Sequence, residues 1–184
     1  VLGGICDIAC SRVAPARIRH VAYGLLRLAP LQDSEEARWA CDAVAADLGA
    51  AGVPVEIHSS LTSMRWRKLV WNMAFSGLCT VSGLRTLELL DEPAERERLL
   101  AVMAEVVAAA SADGAQLDPD LITSFLAQTE AMASYAPSMQ LDAEAGRPLE
   151  LEAIYREPLR RARRCGVAMP ETTRLLRELE AITS

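Results

Sequence analysis

The sequence predicts a mainly α-helical protein with a short α/β part at its N-terminus. Apolar residues make up 51% of the chain, yet only 4% of it is aromatic, so alanine and leucine must form most of the core. Such a composition favours closely packed helices over a β-sandwich. Strand patterns are confined to the first third, and helical patterns follow alone. The 184 residues suffice for one ordinary domain, or for one domain and part of another.

Charge and cysteine content exclude several classes of protein. A net charge of -6 argues against a nucleic-acid partner, which requires a basic surface for the phosphates. The five cysteines are odd in number and form no C-x-x-C, so neither a disulfide framework nor a zinc site is predicted. We expect buried free thiols, no metal and a cytoplasmic location. No apolar run approaches the roughly 18 residues of a membrane span, so no membrane partner is expected.

Residues 1–59 are predicted to form strands and one helix. Alternating or apolar runs predict strands at 5–9, 17–28 and 53–57, and Gly24 is expected to mark a bulge or hairpin. Ser34 is a predicted N-cap, and its helix should stop at Gly52. The apolar stripe of that helix consists of Trp39, Val44, Leu48 and Ala51.

Beyond residue 60 only helices are predicted. Periodicity, proline and glycine place them at about 61–79, 93–114, 119–134, 150–165 and 170–182, with a further stretch beginning at 137. We therefore divide the chain into domains 1–60 and 61–184.

Lys68 is the first candidate for chemistry. It is the only lysine in the chain, and the other eighteen of its nineteen basic residues are arginines. Arginine would serve any site that needs only a solvated positive charge, whereas an ammonium group can give up a proton when it is partly buried. Lys68 is thus a candidate proton donor, and the alternative is a chance surface lysine.

Two polar side chains follow Lys68 at helical spacing. Residues 69–81 carry no charge, so this helix should be buried. Asn72 and Ser76 share a stripe with Lys68, which would suit a small, polar and anionic substrate if the stripe faces a cleft. The alternative is that Asn72 and Ser76 hydrogen-bond neighbouring backbone.

A second polar cluster lies between residues 137 and 152. Ser138 follows a proline and can cap a helix. Glu150 stands between two leucines near the start of an amphipathic helix, where a carboxylate can simply favour the helix N-terminus. Glu150 can also accept a hydrogen bond from a substrate hydroxyl.

Together these motifs resemble the ketopantoate reductase family. Trp66, Lys68 and Asn72 fit W-x-K-x-x-x-N. The second signature, S-M-x-x-D-x-x-x-G-R-x-x-E, is fitted by Ser138, Met139, Asp142, Gly146, Arg147 and Glu150. The stretch 166–170 fits G-x-x-x-P, and 15–20 resembles the hairpin that ends the family's nucleotide domain. The resemblance covers essentially the whole chain, and it is the order and spacing of the motifs that make it specific.

The resemblance implies a helical substrate domain of the 6-phosphogluconate-dehydrogenase-like type that follows the remnant of a Rossmann domain. It implies reduction of a 2-oxo acid with NADP(H), a step of pantothenate biosynthesis. Lys68 would protonate the developing alkoxide, Glu150 and Ser138 would hold the substrate, and Asn72 would lie alongside. Ser76 stands where the family often has asparagine, which leaves the identity of the 2-oxo acid open. Exposed helical faces are expected to pair in a homodimer.

The chain departs from the family pattern at its beginning. None of its ten glycines forms the G-x-G-x-x-G that cradles a pyrophosphate, and the first residue is Val1 rather than methionine. We therefore expect a fragment that does not bind NADPH well by itself. The alternatives are a sister reductase for another 2-oxo acid, and a non-catalytic helical module for dimerisation or small-acid binding.

The remaining basic residues are assigned structural roles. The arginines of 160–164 are predicted to form a solvated helix face. His20 and His58 follow strand periodicity, so neither a Ser-His-Asp triad nor a histidine metal site is predicted.

Overall fold

A computed structural model describes residues 1–182 and, within that range, leaves the side chains of residues 11, 12 and 21 undescribed. The chain forms two compact units, Val1–Arg65 and Trp66–Ser184. Strands occur in the first unit and long helices fill the second, so the predicted fold class is confirmed. The predicted domain boundary between residues 60 and 61 stays a prediction.

The first unit contains a β-hairpin. Strands β1 (Leu2–Ala14) and β2 (Arg17–Pro30) pair antiparallel, and β3 (Val55–Ile57) adds to β2 in parallel. Asp7 pairs with Leu25 and Ile8 with Tyr23, which leaves Gly24 as the extra residue of a β-bulge. Its φ of +135° suits glycine, so the bulge predicted at this position is confirmed.

Helix α1 (Glu35–Ala50) begins and ends where the sequence predicts. The Ser34 hydroxyl accepts a 3.2 Å hydrogen bond from the Ala37 amide, and Gly52 follows with a φ of +79°. The predicted stripe does not form the buried face, however. Trp39 is 72% exposed and Cys41 is fully buried, because the less exposed face of α1 runs through Ala37, Cys41, Ala45 and Leu48 at helical spacing.

The second unit is built from helices. They are the C-terminal half of α2 (Leu61–Trp71), which begins within the first unit, then a first π turn (Asn72–Ser76), α3 (Gly77–Ser82), α4 (Thr86–Asp91), α5 (Pro93–Ala112), α6 (Leu121–Glu130), α7 (Ser138–Glu144), a second π turn (Glu152–Arg156), α8 (Glu157–Arg164) and α9 (Pro170–Ile182). The helix predicted from 119 begins at Leu121, and α4 lies in a stretch for which no helix was predicted. The continuous helix predicted over 61–79 is interrupted by the first π turn.

One large apolar cluster holds the second unit together. The uncharged run after Lys68 lies at its centre, with Val70 and residues 73–79 all buried, as the absence of charge predicts. Helix α5 supplies Leu99, Val102, Met103, Val106, Ala109 and Ala110 to the same cluster.

The cysteines only partly match the expected burial. All five are free, but Cys6, Cys10 and Cys165 are exposed, and only Cys41 and Cys79 are buried. The expectation of buried thiols is therefore wrong for three of the five, since strand alternation and a helix end turn those three toward solvent. Burial raises the pKa of Cys79 to about 12, which keeps this thiol protonated.

Among the described residues, no helix is both long enough and apolar enough to cross a membrane.

Candidate active site

The first π turn lies directly after the helix that carries Lys68. Lys68 is half-buried in the last turn of α2, Asn72 opens the π turn half-buried, and Ser76 ends it at 3% exposure. A π turn inserts one residue into a helix and occurs frequently at functional sites. Ser76 is thus far less accessible than the other two members of the predicted stripe.

Trp66 anchors α2 two residues before Lys68. Its indole N–H donates a 2.7 Å hydrogen bond to Asp113, which also accepts a 2.8 Å hydrogen bond from Arg161 Nε and forms an ion pair with Arg161 Nη2 at 2.7 Å. Partial burial raises the pKa of the Asp113 carboxyl, but the bonds from Trp66 and Arg161 outweigh this effect, and its pKa lies below its usual value. The aspartate therefore stays charged and ties α2 to the end of α5 and to α8.

Trp71 is held in place at the C-terminal end of α2. Its indole N–H donates to the Thr129 hydroxyl at 3.1 Å, and that hydroxyl donates to the Phe125 carbonyl at 2.8 Å. The Trp71 ring stacks on Phe75 at 4.9 Å and on Tyr135 at 6.1 Å between ring centroids. With Trp66, these contacts fix both ends of the helical segment that presents Lys68.

The second motif forms a compact turn between α7 and Glu150. Asp142 pairs with Arg147 at 2.7 Å, and Gly146 supplies the positive φ of +64° that ends α7. Ser138 is exposed as the first residue of α7, where no side-chain capping bond forms, so a capping role is not supported. Glu150 is exposed, and its carbonyl accepts the Ile154 amide at 3.1 Å as the next helical segment begins.

Tyr155 connects the two π turns. It lies in the second π turn, is fully buried, and its hydroxyl donates a 2.7 Å hydrogen bond to the carbonyl of Met73 in the first. Gly77 makes room for it, because a Cβ there would collide with the Tyr155 hydroxyl and approach Leu175 Cδ2 to 2.8 Å. The segment after Lys68 and the segment after Glu150 are thereby held at one fixed separation.

The elements that carry the predicted site residues converge on the first π turn. Helix α7, with Ser138, packs against this turn and against α3, and the second π turn, which follows Glu150, packs against it as well. Lys68 and Asn72 belong to the same helical rod as the turn. The roles assigned to Lys68, Asn72, Ser76, Ser138 and Glu150 stay predictions.

Sequence reasoning did not identify Tyr155, Gly77 or Asp113 as important residues. Tyr155 follows Leu151 by four residues and precedes Leu159 by four, a spacing that predicts a buried face, and a buried tyrosine hydroxyl needs a partner. This spacing could have identified Tyr155 as a buried residue, but it could not have identified Met73 as the hydrogen-bond acceptor.

The arginines predicted to be solvated form surface ion pairs. Arg160 pairs with Glu152 and Glu157, and Arg164 with Glu157 at 3.9 Å. Arg161 instead binds Asp113, so one member of this group has a structural role.

The chain belongs to the ketopantoate reductase family: residues 60–183 match the model of the ketopantoate reductase PanE/ApbA C-terminal domain. The resemblance inferred from the motifs is thereby confirmed. A 2-dehydropantoate 2-reductase of Nostoc sp. is 32% identical over 183 residues, which are 98% of this chain and 57% of the relative.

Solved structures agree with this assignment. The 2-dehydropantoate 2-reductase of Geobacter metallireducens has a TM-score of 0.91 at 34% identity, over 98% of this chain and 60% of the other. A D-mandelate dehydrogenase with NADH and anilino(oxo)acetate has a TM-score of 0.88 at 22% identity, over 99% of this chain and 60% of the other, and shows the fold alone. This chain thus spans little more than half the length of these proteins.

Proposed function

We propose that the complete gene product containing this chain reduces a 2-oxo acid to a 2-hydroxy acid with NADPH, and that ketopantoate is the substrate. The observation that carries the proposal is the convergence on the first π turn of three elements: the helix that carries Lys68, the helix that begins at Ser138, and the second π turn, which follows Glu150. Family membership supports it, since the matched relatives are named for this reaction.

Lys68 is the proposed proton donor. As hydride adds to the 2-oxo carbon, the carbonyl oxygen gains negative charge, and the ammonium group of Lys68 first stabilises that charge and then transfers a proton to it. The product is the 2-hydroxy acid, and Lys68 regains its proton from solvent. Its half-buried position in the last turn of α2 suits this role, because part of the side chain stays accessible to a substrate.

Glu150, Ser138 and Asn72 are the proposed substrate ligands. The carboxylate of Glu150 is exposed and suited to accept a hydrogen bond from the substrate hydroxyl. The Ser138 hydroxyl, exposed and uncommitted to capping α7, can donate to the substrate carboxylate, with Asn72 alongside. Ser76 is proposed as a minor contributor, because at 3% exposure it can contact only the innermost part of a ligand.

This chain's own residues do not fit a dinucleotide. The sequence contains no G-x-G-x-x-G, so it offers no glycine-rich turn for a pyrophosphate. The proposal therefore assigns NADPH binding to residues of the complete gene product other than these 184.

Following NADPH absorbance with ketopantoate in the complete gene product tests the proposal. Lys68→Ala should lower kcat by roughly 10²–10⁴-fold, and Lys68→Arg should restore little because a guanidinium does not release its proton. Glu150→Gln should mainly raise KM. A matched control is Arg163→Ala on the exposed part of α8, which should leave both constants unchanged.

Two outcomes would point to the alternatives. Turnover of a different 2-oxo acid in preference to ketopantoate would favour a sister reductase, a reading that Ser76 in place of the family's common asparagine keeps open. A well-folded product with no turnover, and with Lys68→Ala indistinguishable from the parent, would favour a non-catalytic module for dimerisation or small-acid binding.

A further inference from the structure

Tyr155 carries a hydroxyl group that core packing alone does not require. It is the largest of the fully buried side chains in the described part of the chain, and it ends in a polar hydroxyl where phenylalanine would fill nearly the same volume. A buried hydroxyl without a partner is unfavourable by about 1–3 kcal/mol, so its single hydrogen bond must be well placed. That bond goes to Met73 at 2.7 Å.

The acceptor lies in the first π turn. A π turn spaces its backbone hydrogen bonds five residues apart, so its geometry differs from that of the α-helix on either side. Met73 lies inside the first π turn, and the Tyr155 hydroxyl supplies a hydrogen bond to its carbonyl. The wide turn is thus stabilised by a side chain from a distant part of the chain.

The donor belongs to the other π turn. Tyr155 lies five residues after Glu150, while Met73 lies five residues after Lys68. Gly77 lets the two turns approach this closely, because any side chain there would occupy the space of the hydroxyl. Burial raises the pKa of Tyr155, with a smaller contribution from Cys79, so the hydroxyl remains a donor throughout the working pH range.

We propose that Tyr155 is a positioning residue: its hydrogen bond to Met73, made possible by Gly77, sets the distance between the Lys68–Asn72 segment and Glu150. The inference rests on the proposed function, because it concerns the same site. Tyr155 touches neither substrate nor cofactor in this proposal. It acts through the two π turns, whose separation decides whether proton donor and hydroxyl ligand reach one substrate together.

Steady-state kinetics of Tyr155→Phe in the complete gene product test the inference. Misplacing the two segments should raise KM for the 2-oxo acid and lower kcat, each by roughly 10-fold or more. A purely structural role would reduce the fraction of folded enzyme and so lower the apparent kcat, but it would leave KM unchanged. The rise in KM is therefore the decisive measurement.

Leu90→Ala is the matched control. Leu90 is buried at 4% exposure in α4, which packs mainly on α3, α5 and α6 rather than on the π turns. The cavity should lower Tm at least as much as loss of the tyrosine hydroxyl. The KM of Leu90→Ala should stay within about twofold of the parent value, because Leu90 does not position the proposed active-site residues.

A double-mutant cycle with Gly77→Ala tests whether the two residues act through the same contact. Gly77→Ala should impair KM and kcat by displacing the hydroxyl, and adding Tyr155→Phe should then cause little further loss, because both changes break the same contact. Multiplicative losses in the double variant would contradict a shared mechanism.

The outcomes separate this inference from the proposed function. An inactive Lys68→Ala beside a Tyr155→Phe variant with parental KM and kcat would overturn the inference alone. Equal rises of KM in Tyr155→Phe and Leu90→Ala would also overturn it. Parental activity in Lys68→Ala would overturn the proposed function and, with it, this inference.

Discussion

The Tyr155 hydroxyl donates a 2.7 Å hydrogen bond to the Met73 carbonyl, and with it the two π turns of the helical unit are joined. The residues are 82 positions apart in the sequence. Each π turn closely follows a candidate site residue, Lys68 in one case and Glu150 in the other. The two halves of the predicted site are therefore linked through backbone geometry.

Any side chain at Gly77 should lower the stability of the helical unit. A Cβ at this buried position meets the Tyr155 hydroxyl and lies 2.8 Å from Leu175, so Gly77→Ala overpacks the core. We expect the free energy of unfolding of the helical unit to fall by about 1–3 kcal/mol, measured by urea denaturation followed by circular dichroism.

Gly49→Ala is the control for that prediction. Gly49 lies in α1 with no atom within 4 Å of an added Cβ, and alanine is the better helix former. This variant should be unchanged or stabilised by up to about 1 kcal/mol. Equal destabilisation by both substitutions would show that the crowding at Gly77 is not the cause.

Asp113 should stabilise the fold in a pH-dependent way. Its pKa is lowered in the folded chain, so the folded state binds fewer protons there than the unfolded state. The contribution should be fully present above the ordinary carboxyl pKa of about 4 and be lost as the pH falls through the lowered value. Asp113→Asn should reduce the free energy of unfolding by about 1–3 kcal/mol near neutral pH, and this difference should shrink in acid.

The check is urea denaturation of parent and Asp113→Asn at a series of pH values from about 7 to about 3. Asp91→Asn is a control at an exposed position, and it should change the free energy of unfolding by no more than about 0.5 kcal/mol. A parent-minus-variant difference that stays constant into acid would contradict the ionic role of Asp113.

Glu105 should hold the start of α9 in place. Its carboxylate accepts the Glu171 amide at 2.8 Å, the Thr172 amide at 2.9 Å and the Thr172 hydroxyl at 2.8 Å. These amides belong to the first turn of α9, where helix N–H groups otherwise lack partners. Glu105→Ala should reduce the free energy of unfolding by about 1–3 kcal/mol, and Glu105→Gln by less because one acceptor oxygen remains.

Hydrogen exchange supplies a local measurement for this prediction. Amides near the start of α9 should exchange faster in Glu105→Ala, while those of α6 should not change. Glu97→Ala, at an exposed position on the same helix as Glu105, is the control and should stay within about 0.5 kcal/mol of the parent. Unchanged protection of α9 in Glu105→Ala would rule out the capping role.

Truncation of two tryptophans should change the stability to very different extents. Trp66 is 2% exposed and hydrogen-bonded to Asp113, whereas Trp39 is 72% exposed. Trp66→Ala should destabilise the helical unit by about 3–5 kcal/mol, because it creates a cavity and removes one of the hydrogen bonds to Asp113. Trp39→Ala should change stability by no more than about 0.5 kcal/mol. Thermal unfolding followed by circular dichroism distinguishes them, and a large Tm loss in Trp39→Ala would contradict the observed exposure.

The buried segment that follows Lys68 in the candidate site could be predicted from local sequence. The single lysine among arginines, the uncharged run after it and the spacing of Asn72 made this segment a candidate, and the structure confirms the burial of the run. The π turn could not be predicted, because α and π turns have the same apolar composition. The accessibility of Ser76 could not be predicted for the same reason, since the inserted residue changes which side chains face the core.

The sequence by itself determined the fold class, the start and stop of α1, the bulge at Gly24 and the family. These depend on contacts within a few residues: a serine that caps, a glycine that accepts a positive φ, a periodicity that favours helix. Only the tertiary structure decided that Tyr155 meets Met73, that Trp66 meets Asp113 and that Trp39 stays exposed. Those outcomes depend on which helix faces pack together across many residues, and no local pattern encodes that choice.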